Sequence, residues 1–349
     1  MDTFTHALSG ALLARAAAPS QPAPGALSPT ARVAAGFAAA AFPDVDFSLR
    51  LYDTLAYLNW HQGVTHSIIL LPLWAYALAH AFSWATRGRR SWREFLAPAA
   101  LGIAAHIAGD VLTAYGTALF APLSAQRYAL PLAFVIDPYF TAILAAGLAA
   151  ALLRPKKRTP AVTALAVLAA YVGLQAGLHA RALEAGREYA RAQRLAGAEV
   201  HALPQPLTPF NWKIIVERGD DYHEAFVNLW RTQEPRPPAD GDALLRRIAA
   251  GYRPVAAAGW TRHSRYGEGP QAALAREAWN QEAFADFRRF ARFPALDRIE
   301  THGGRVCVWF LDLRFTLPAL TPSFRWGVCR TAAADSWRLE RMRGAFWID

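Results

Sequence analysis

Apolar residues are concentrated in the first half of the chain, in runs long enough to form membrane helices. A helix needs about 20 apolar residues to cross a bilayer. Two shorter runs, Phe4–Ala18 and Val33–Phe47, are predicted to be short, tilted or re-entrant helices packed on a bundle. The runs predicted to span are Ser67–Thr86, Leu96–Ala118, Leu132–Leu153 and Pro160–His179.

The second half has the pattern of a soluble domain. Asn211–Glu217 and Tyr222–Trp230 flank a polar turn and predict a β-hairpin. Helical spacing over Ala272–Phe293 predicts a helix, and Arg305–Phe315 and Phe324–Arg330 predict further strands. The sequence therefore predicts a mainly α protein, with a polytopic transmembrane helical bundle over residues 1–180 and a smaller α+β soluble domain over residues 181–349.

The low charge and the positions of the basic residues favour a membrane protein. Charged residues make up 18% of the sequence, against about 25% in ordinary soluble domains. A net charge of +10 can indicate nucleic-acid binding. Here many basic residues lie in two short loops, Arg87–Arg93 and Arg154–Arg158, and such loops indicate topology. Membrane lipids are therefore expected partners, and nucleic acid is not.

The two basic loops also predict the orientation of the chain. They are separated by two predicted spans, so both should lie in the cytoplasm. The N-terminus and the domain after His179 then lie outside. A cleavable signal peptide is not expected, because Asp2 stands where a basic segment would be.

Cys307 and Cys329 are the two cysteines of the chain, and both lie in predicted strands of the second domain. They form no Cys-x-x-Cys pair, which excludes a thiolate zinc site. An oxidising compartment permits a disulfide, and adjacent antiparallel strands can bring two Cα atoms within the ~4.4–6.8 Å that it needs. A disulfide and two buried free thiols both remain open.

His106 and Asp110 lie four residues apart inside a predicted span. This spacing places both side chains on one face of a helix, where they can bind one metal ion. An ionisable group in a membrane segment is costly and suggests a function. The alternative is a His–Asp hydrogen bond that satisfies two buried polar groups.

Two further motifs offer metal ligands next to apolar runs. Asp44 and Asp46 follow a proline at the end of a run, and their carboxylates suit hard or borderline cations. The alternative for them is a turn or a helix cap. His61 and His66 directly precede a span, and His is the commonest metal ligand. Their alternative is a solvated loop.

The predicted topology brings the His and Asp residues of five segments to one side of the bundle. His6 opens the chain, and Asp2 lies where it can orient the His6 ring. His106 and Asp110 fall at middle to outer depth, whereas chance placement would scatter such residues between both faces. The residues near outer ends are His6, Asp44, Asp46, His66 and Asp137.

Together these motifs resemble those of the YdjM-like membrane-bound metal-dependent hydrolases of bacteria. The likeness covers most of residues 1–150 and extends weakly to Pro209–Tyr222. Gln62 stands where that family usually has an arginine, so no phosphate-binding role is carried over to it. The matching stretches are Met1–Gly10, Phe42–Phe47, His61–Ser67, His106–Leu123 and Phe134–Tyr139.

The resemblance implies a metal centre, because this family is similar to zinc-dependent phospholipases C and P1-type nucleases. It implies one or two divalent ions, zinc or else manganese, at the bacterial inner membrane. A second metal ion, or a carboxylate such as Asp46 or Asp137, would act as a base. His61 and Asp137 would otherwise support a ligand or face the substrate. The implied metal ligands are His6, Asp44, Asp46, His66, His106 and Asp110.

We therefore expect a membrane-bound metal-dependent hydrolase that cleaves a phosphodiester or ester of a lipid-like or envelope substrate with a metal-activated water. The alternative is a non-catalytic membrane structural or assembly protein whose His/Asp cluster stabilises packing. A transporter is disfavoured, because the chain lacks two similar halves with paired, Gly/Pro-broken spans.

Overall fold

The computed structural model describes residues 1–19, 25–239, 241–331 and 334–342. The chain divides into two compact units, Met1–Gly177 and Leu178–Asp349. The described part of the first unit is mainly helical, and that of the second combines two β-sheets with short helices. A helical part followed by an α+β part agrees with the predicted fold class.

Helices of the first unit are joined by two 3₁₀ segments that matter for the candidate site. Phe42–Leu51 is a 3₁₀ segment directly after the second helix, and Val64–His66 is a 3₁₀ turn just before the fourth. The helices are α1 Thr3–Ala16, α2 Pro29–Ala41, α3 Thr54–Trp60, α4 Leu71–Ala85, α5 Trp92–Val111, α6 Pro138–Leu153 and α7 Thr159–Ala192, of which the residues from Leu178 onward belong to the second unit.

The structure supports fewer membrane spans than the four predicted. Within the described residues, α5 and α7 are long and apolar enough to cross a bilayer, and a third span arises if Thr54–His66 and α4, which meet at 81°, count as one. Helix α6 has only 16 residues, short of the ~20 a span needs. It begins at Pro138 and not at Leu132, because the residue before a proline disfavours helical backbone angles and Asp137 caps the helix.

Helices α1, α2 and α5 cross in close contact at three glycines. A Cβ atom at Gly36 would lie 2.5 Å from the carbonyl oxygen of Gly10, and one at Gly102 would lie 2.7 Å from the carbonyl oxygen of Gly36. Only glycine permits such an approach. The crossing lies one helical turn from the residues that each helix contributes to the candidate site, namely His6, Ala40 and His106.

Substituting Gly36 with alanine is expected to destabilise the first unit by about 1–3 kcal/mol, the usual cost of overpacking. The new methyl group would also meet Ala14 Cβ at 2.6 Å, so α1 and α2 must separate. Thermal unfolding of the purified full chain measures the effect. Gly173→Ala in α7 is the matched control, because a Cβ atom there meets nothing within 4 Å. An equal melting temperature for both variants would disprove the close crossing.

The second unit contains two antiparallel-rich sheets. The strands are β1 Glu199–Pro204, β2 Asn211–Arg218, β3 Asp221–Asn228, β4 Arg253–Pro254, β5 Thr261–Ser264, β6 Pro294–His302, β7 Arg305–Asp312, β8 Trp326–Thr331 and β9 Ala334–Arg341. In the first sheet the order is β1-β2-β3-β4, with β5 also paired to β3, and in the second sheet it is β6-β7-β8-β9. The helices of this unit are α8 Leu244–Ala250, α9 Pro270–Trp279 and α10 Ala285–Phe290.

In this unit one local prediction is confirmed, one choice left open by the sequence is decided, and one prediction is wrong. Strands β2 and β3 form the predicted hairpin. Cys307 and Cys329 face each other on β7 and β8 and form a disulfide, which decides between the two alternatives. The single helix predicted over Ala272–Phe293 is instead α9 and α10, separated by a break at Asn280 and Gln281 and a 3₁₀ turn.

Candidate metal centre

Three donor atoms form a small buried triangle in the first unit. His66 Nε2 and His106 Nε2 lie 3.0 Å apart, and each lies 3.2 Å from Asp110 Oδ2. His106 and Asp110 come from the last two turns of α5, and His66 ends the 3₁₀ turn before α4. All three side chains are buried. The structure thus brings these predicted residues to one point.

The triangle has the size of a metal coordination shell. Bonds of about 2.0–2.1 Å to zinc place neighbouring ligand atoms about 2.9 Å apart at octahedral angles and about 3.4 Å apart at tetrahedral angles. The observed edges of 3.0 and 3.2 Å lie between these values. Asp44 Oδ1 lies slightly farther out, 3.6 Å from His106 Nε2 and 3.7 Å from His66 Nε2. It can complete the shell or face its open side.

The hydrogen bonds of the two histidines fix their tautomers. His106 Nδ1 lies 2.6 Å from the carbonyl oxygen of Ala40, and a carbonyl oxygen only accepts, so Nδ1 donates. The Thr65 hydroxyl donates to Asp46 Oδ2 and therefore accepts from His66 Nδ1. In a neutral imidazole the other nitrogen then carries a lone pair. Two neutral Nε2 lone pairs would then face each other at 3.0 Å, and either a shared proton or a metal ion relieves their repulsion.

Asp110 presents an unsatisfied oxygen to the same point. Its Oδ1 accepts from His6 Nε2 at 2.9 Å and from the Met1 nitrogen at 2.6 Å. Its Oδ2 is buried and has no hydrogen-bond partner. Burying a carboxylate oxygen in this way is costly unless a cation compensates it. Two imidazoles and a carboxylate are a donor set that suits zinc and related divalent ions.

His6 joins the cluster but lies outside the triangle. Its ring stacks on that of His106 with centroids 3.7 Å apart, and its Nε2 binds the Asp110 oxygen that faces away from the triangle. The second nitrogen of His6, Nδ1, is buried without a partner. One ring nitrogen of His6 lies within 4.8 Å of donor atoms of Asp44 and His106. Its direct ligation of a metal therefore stays a prediction, and its contact with Asp110 is what the structure shows.

Asp44 and Asp46 play different parts, which their shared motif does not distinguish. Asp44 faces the triangle and accepts a hydrogen bond from the Thr3 hydroxyl. Asp46 approaches only the outer nitrogen of His66, Nδ1, at 3.5 Å. Asp44 is therefore the better placed ligand, and Asp46 orients His66.

His61 and Asp46 form a hydrogen-bonded pair on the more open side of the cluster. His61 Nδ1 lies 2.8 Å from Asp46 Oδ1, and the His61 side chain is 14% exposed. Its ring contacts those of Tyr57 and Tyr115, with centroids 4.8 and 5.4 Å away. One of its donor atoms lies within 4.8 Å of donor atoms of Asp44 and His66. The pair therefore lies beside the triangle.

Asp137 does not belong to any group of potential metal ligands among the described residues. It is the N-cap of α6, and its Oδ1 accepts from the backbone nitrogens of Tyr139 and Phe140. Its Oδ2 accepts from the Tyr171 hydroxyl at 2.8 Å. Since Oδ1 caps α6 and Oδ2 is bound by a residue of α7, the base role predicted for Asp137 has no support in its position.

Sequence reasoning missed the groups that orient the predicted ligands. Thr65 stands directly before His66, and its hydroxyl could have been recognised as a partner for that ring. Gln62 donates its backbone N–H to Asp46, and its side chain accepts from Thr117, so it supports the loop. The carbonyl oxygen of Ala40 has no sequence signal, because any residue type supplies one.

Comparisons with known proteins agree with the membrane protein predicted from the sequence. The model of the YdjM inner membrane protein family matches residues 1–182, which include the whole cluster. An uncharacterised protein of Bacillus subtilis (strain 168), YfhP, is 29% identical over 178 residues, or 50% of this chain and 52% of that protein. The chain thus aligns with about half the length of this curated relative. No solved structure matches it. The chain belongs to the YdjM inner membrane protein family.

Proposed function

We propose that this protein is a membrane-bound metal-dependent hydrolase that holds one or two divalent ions in the His/Asp cluster. Zinc is the preferred candidate for these ions. The observation that best supports this proposal is a cluster of three donor atoms. His66 Nε2, His106 Nε2 and the unpartnered Asp110 Oδ2 lie within 3.0–3.2 Å of one another. His66, His106 and Asp110 would hold the first ion. Asp44 and His6 are the next nearest donors.

Three protein ligands are the number typical of catalytic zinc sites, because the fourth position stays open for water or substrate. A divalent ion there supplies Lewis acidity and lowers the pKa of bound water to about 7. The protein contributes the orientation of the ligands, through Thr65, Asp46 and the Ala40 carbonyl. It also contributes Asp44, whose ionised oxygen lies at the edge of the triangle.

His61 is proposed as the group that accepts and returns the proton. Its Nδ1 donates to Asp46, which leaves a lone pair on Nε2. A positioned His in this state acts as a general base, and a carboxylate on its far nitrogen stabilises the charge that forms. This assignment places the base role on His61 with the support of Asp46, and no longer on Asp137.

The substrate class is proposed from the surroundings of the cluster. Phe47, Leu51, Tyr52 and Trp60, all within 15 residues of His66 or Asp44 in the chain, are between 51% and 92% exposed. Exposed aromatic and apolar side chains beside a polar site suit the interface of a bilayer. A phosphodiester or ester in a lipid-like or envelope molecule would meet the cluster there.

The proposed location is the bacterial inner membrane, with several passes and the second unit outside the cytoplasm. The disulfide between Cys307 and Cys329 supports this orientation, because disulfides persist in oxidising compartments and are rare in the cytosol. Because the candidate span α7 separates the basic loop Arg154–Arg158 from most of the second unit, that loop would then face the cytoplasm.

A His61→Ala variant tests the catalytic part of the proposal. We expect metal content to stay at the wild-type level and metal-dependent hydrolysis to fall by about 10²–10⁴-fold, the usual contribution of a general base. The full chain is purified in detergent, its metal is measured by mass spectrometry, and hydrolysis is followed with bis(4-nitrophenyl) phosphate and a 4-nitrophenyl ester. Metal-dependent turnover that His61→Ala leaves unchanged would disprove the role of His61.

A second candidate is a non-catalytic membrane protein whose metal only stabilises the bundle. The position of Asp44 favours it, because four protein ligands make a closed, structural site. The same experiment separates the two candidates. Bound metal that raises the melting temperature without hydrolysis of either probe would support the structural protein and refute the hydrolase. A chain that binds no divalent ion would refute both.

A further inference from the structure

An open groove lies between α6 and α7, where it shares no residue with the metal centre. Its volume is about 740 Å³, within the range of about 300–1,000 Å³ typical of small-molecule sites. Its floor is apolar and is formed by small side chains, among them Ala146 and Ala150 on α6 and Ala164 on α7. At the level of Gly147 the helices approach so closely that a Cβ atom would meet Ala164 Cβ at 2.2 Å.

The end of the groove at the α6–α7 loop is positively charged. Arg154 and Lys157 line it there, and the residues that line the groove include no acidic side chain. In the described part of the chain, neither cation has an acidic side chain within ion-pair distance. Both side chains are exposed. They are therefore available to an anionic group at the mouth of the groove.

The loop that carries these cations is held in place by a buried arginine. Arg15 of α1 is 3% exposed, and its Nη2 donates to the carbonyl oxygens of Pro155 and Lys157 at 2.8 Å each. These bonds tie the loop to the helix bundle. The charged mouth is thus anchored beside the apolar floor, and the two parts keep a fixed relation to each other.

We propose that this groove binds an anionic phospholipid, with an acyl chain on the apolar floor and the phosphate between Arg154 and Lys157. From Ala142 to Arg154 the groove extends about 18 Å at the helical rise per residue, which suits an extended chain and not a compact polar ligand. Basic pockets between membrane helices are the sites at which such headgroups bind. The sequence also predicts that this loop faces the cytoplasm, where the anionic leaflet lies.

Charge variants test the headgroup contact. The delipidated full chain in a neutral detergent is titrated with phosphatidylglycerol or phosphatidylcholine, and the first bound lipid is counted by native mass spectrometry. We expect phosphatidylglycerol to bind more tightly, and Arg154→Gln and Lys157→Gln each to weaken it by about fivefold. Lys156→Gln is the matched control, because Lys156 is exposed in the same loop but does not line the groove.

A filled groove tests the acyl-chain contact. Ala146→Phe places a ring on the floor and should reduce binding of both lipids at least as much as a charge variant does, whereas Ala149→Phe, exposed on the same helix outside the groove, should not. Equal binding of the two lipids to the wild type would overturn the proposal. So would Arg154→Gln binding like Lys156→Gln together with Ala146→Phe binding like Ala149→Phe. The charge variants lie in an exposed loop outside the helix core. If Ala146→Phe fails to fold, the lipid titrations of the charge variants still test the proposal.

Discussion

A His106→Ala variant is expected to lose the proposed metal ion and, with it, any metal-dependent hydrolysis. The substitution removes one corner of the triangle and leaves Asp110 Oδ2 and His66 Nε2 without their third partner. Loss of a group that merely orients a ligand costs about 10–100-fold in metal affinity, so loss of the ligand itself should cost more than about 100-fold. Competition with a chromogenic chelator measures the affinity of the purified full chain for zinc.

The melting temperature gives a second measure of the same effect. An ion that binds only the folded state stabilises it in proportion to the logarithm of its concentration over its Kd. Added zinc should therefore raise the melting temperature of the wild type and leave that of His106→Ala nearly unchanged.

His80→Ala is the matched control for both measurements. His80 is an exposed histidine on α4 that stacks on Trp92, with ring centroids 5.0 Å apart, and it belongs to no group of potential ligands among the described residues. It should keep wild-type zinc affinity. A His106→Ala protein that binds zinc as tightly as His80→Ala does would remove the basis of the metal centre.

The part of the site that could be predicted from the sequence is the part set by helical geometry. His106 and Asp110 share a helix face at any position in the bundle, because a spacing of four residues is close to one turn. His66 and Asp44 lie against that face, as predicted. Ionisable groups in an apolar region are costly to bury unless they contact one another. Side chains that are costly to bury alone tend to be buried together.

The finer roles could not be predicted, because they depend on distances that spacing does not fix. Asp44 and Asp46 are two residues apart in a 3₁₀ segment, and only the fold decides which one faces the triangle. Asp137 precedes a proline at the start of a helix, and there the free backbone N–H groups bind its carboxylate more directly than a distant metal can. The Asp137-Pro138 pair is a helix-capping pattern, and in the structure Asp137 caps α6. The family resemblance instead implies a catalytic role for Asp137.

The count of membrane spans was overestimated for a related reason. Hydropathy registers apolar residues whether they form a helix or an extended segment. Leu132 and Ala133 donate their backbone N–H groups to the carbonyl oxygen of Leu112 and so continue the loop before α6. Buried loop segments of this kind are tolerated in a membrane protein where the surrounding protein supplies their hydrogen bonds.

Removal of the disulfide is expected to destabilise the second unit by about 3 kcal/mol, the loop-closure contribution for cysteines separated by 22 residues. The variant Cys307→Ala/Cys329→Ala and the reduced wild type should unfold at similarly lower denaturant concentrations than the oxidised wild type, because the lost bond and not the lost packing dominates. Metal content should stay unchanged, since the triangle lies wholly within the first unit. Titration of free thiols under denaturing, non-reducing conditions provides the decisive check. Two reactive thiols per chain in protein isolated from cells would contradict both the bond and the extracytoplasmic position proposed for this unit.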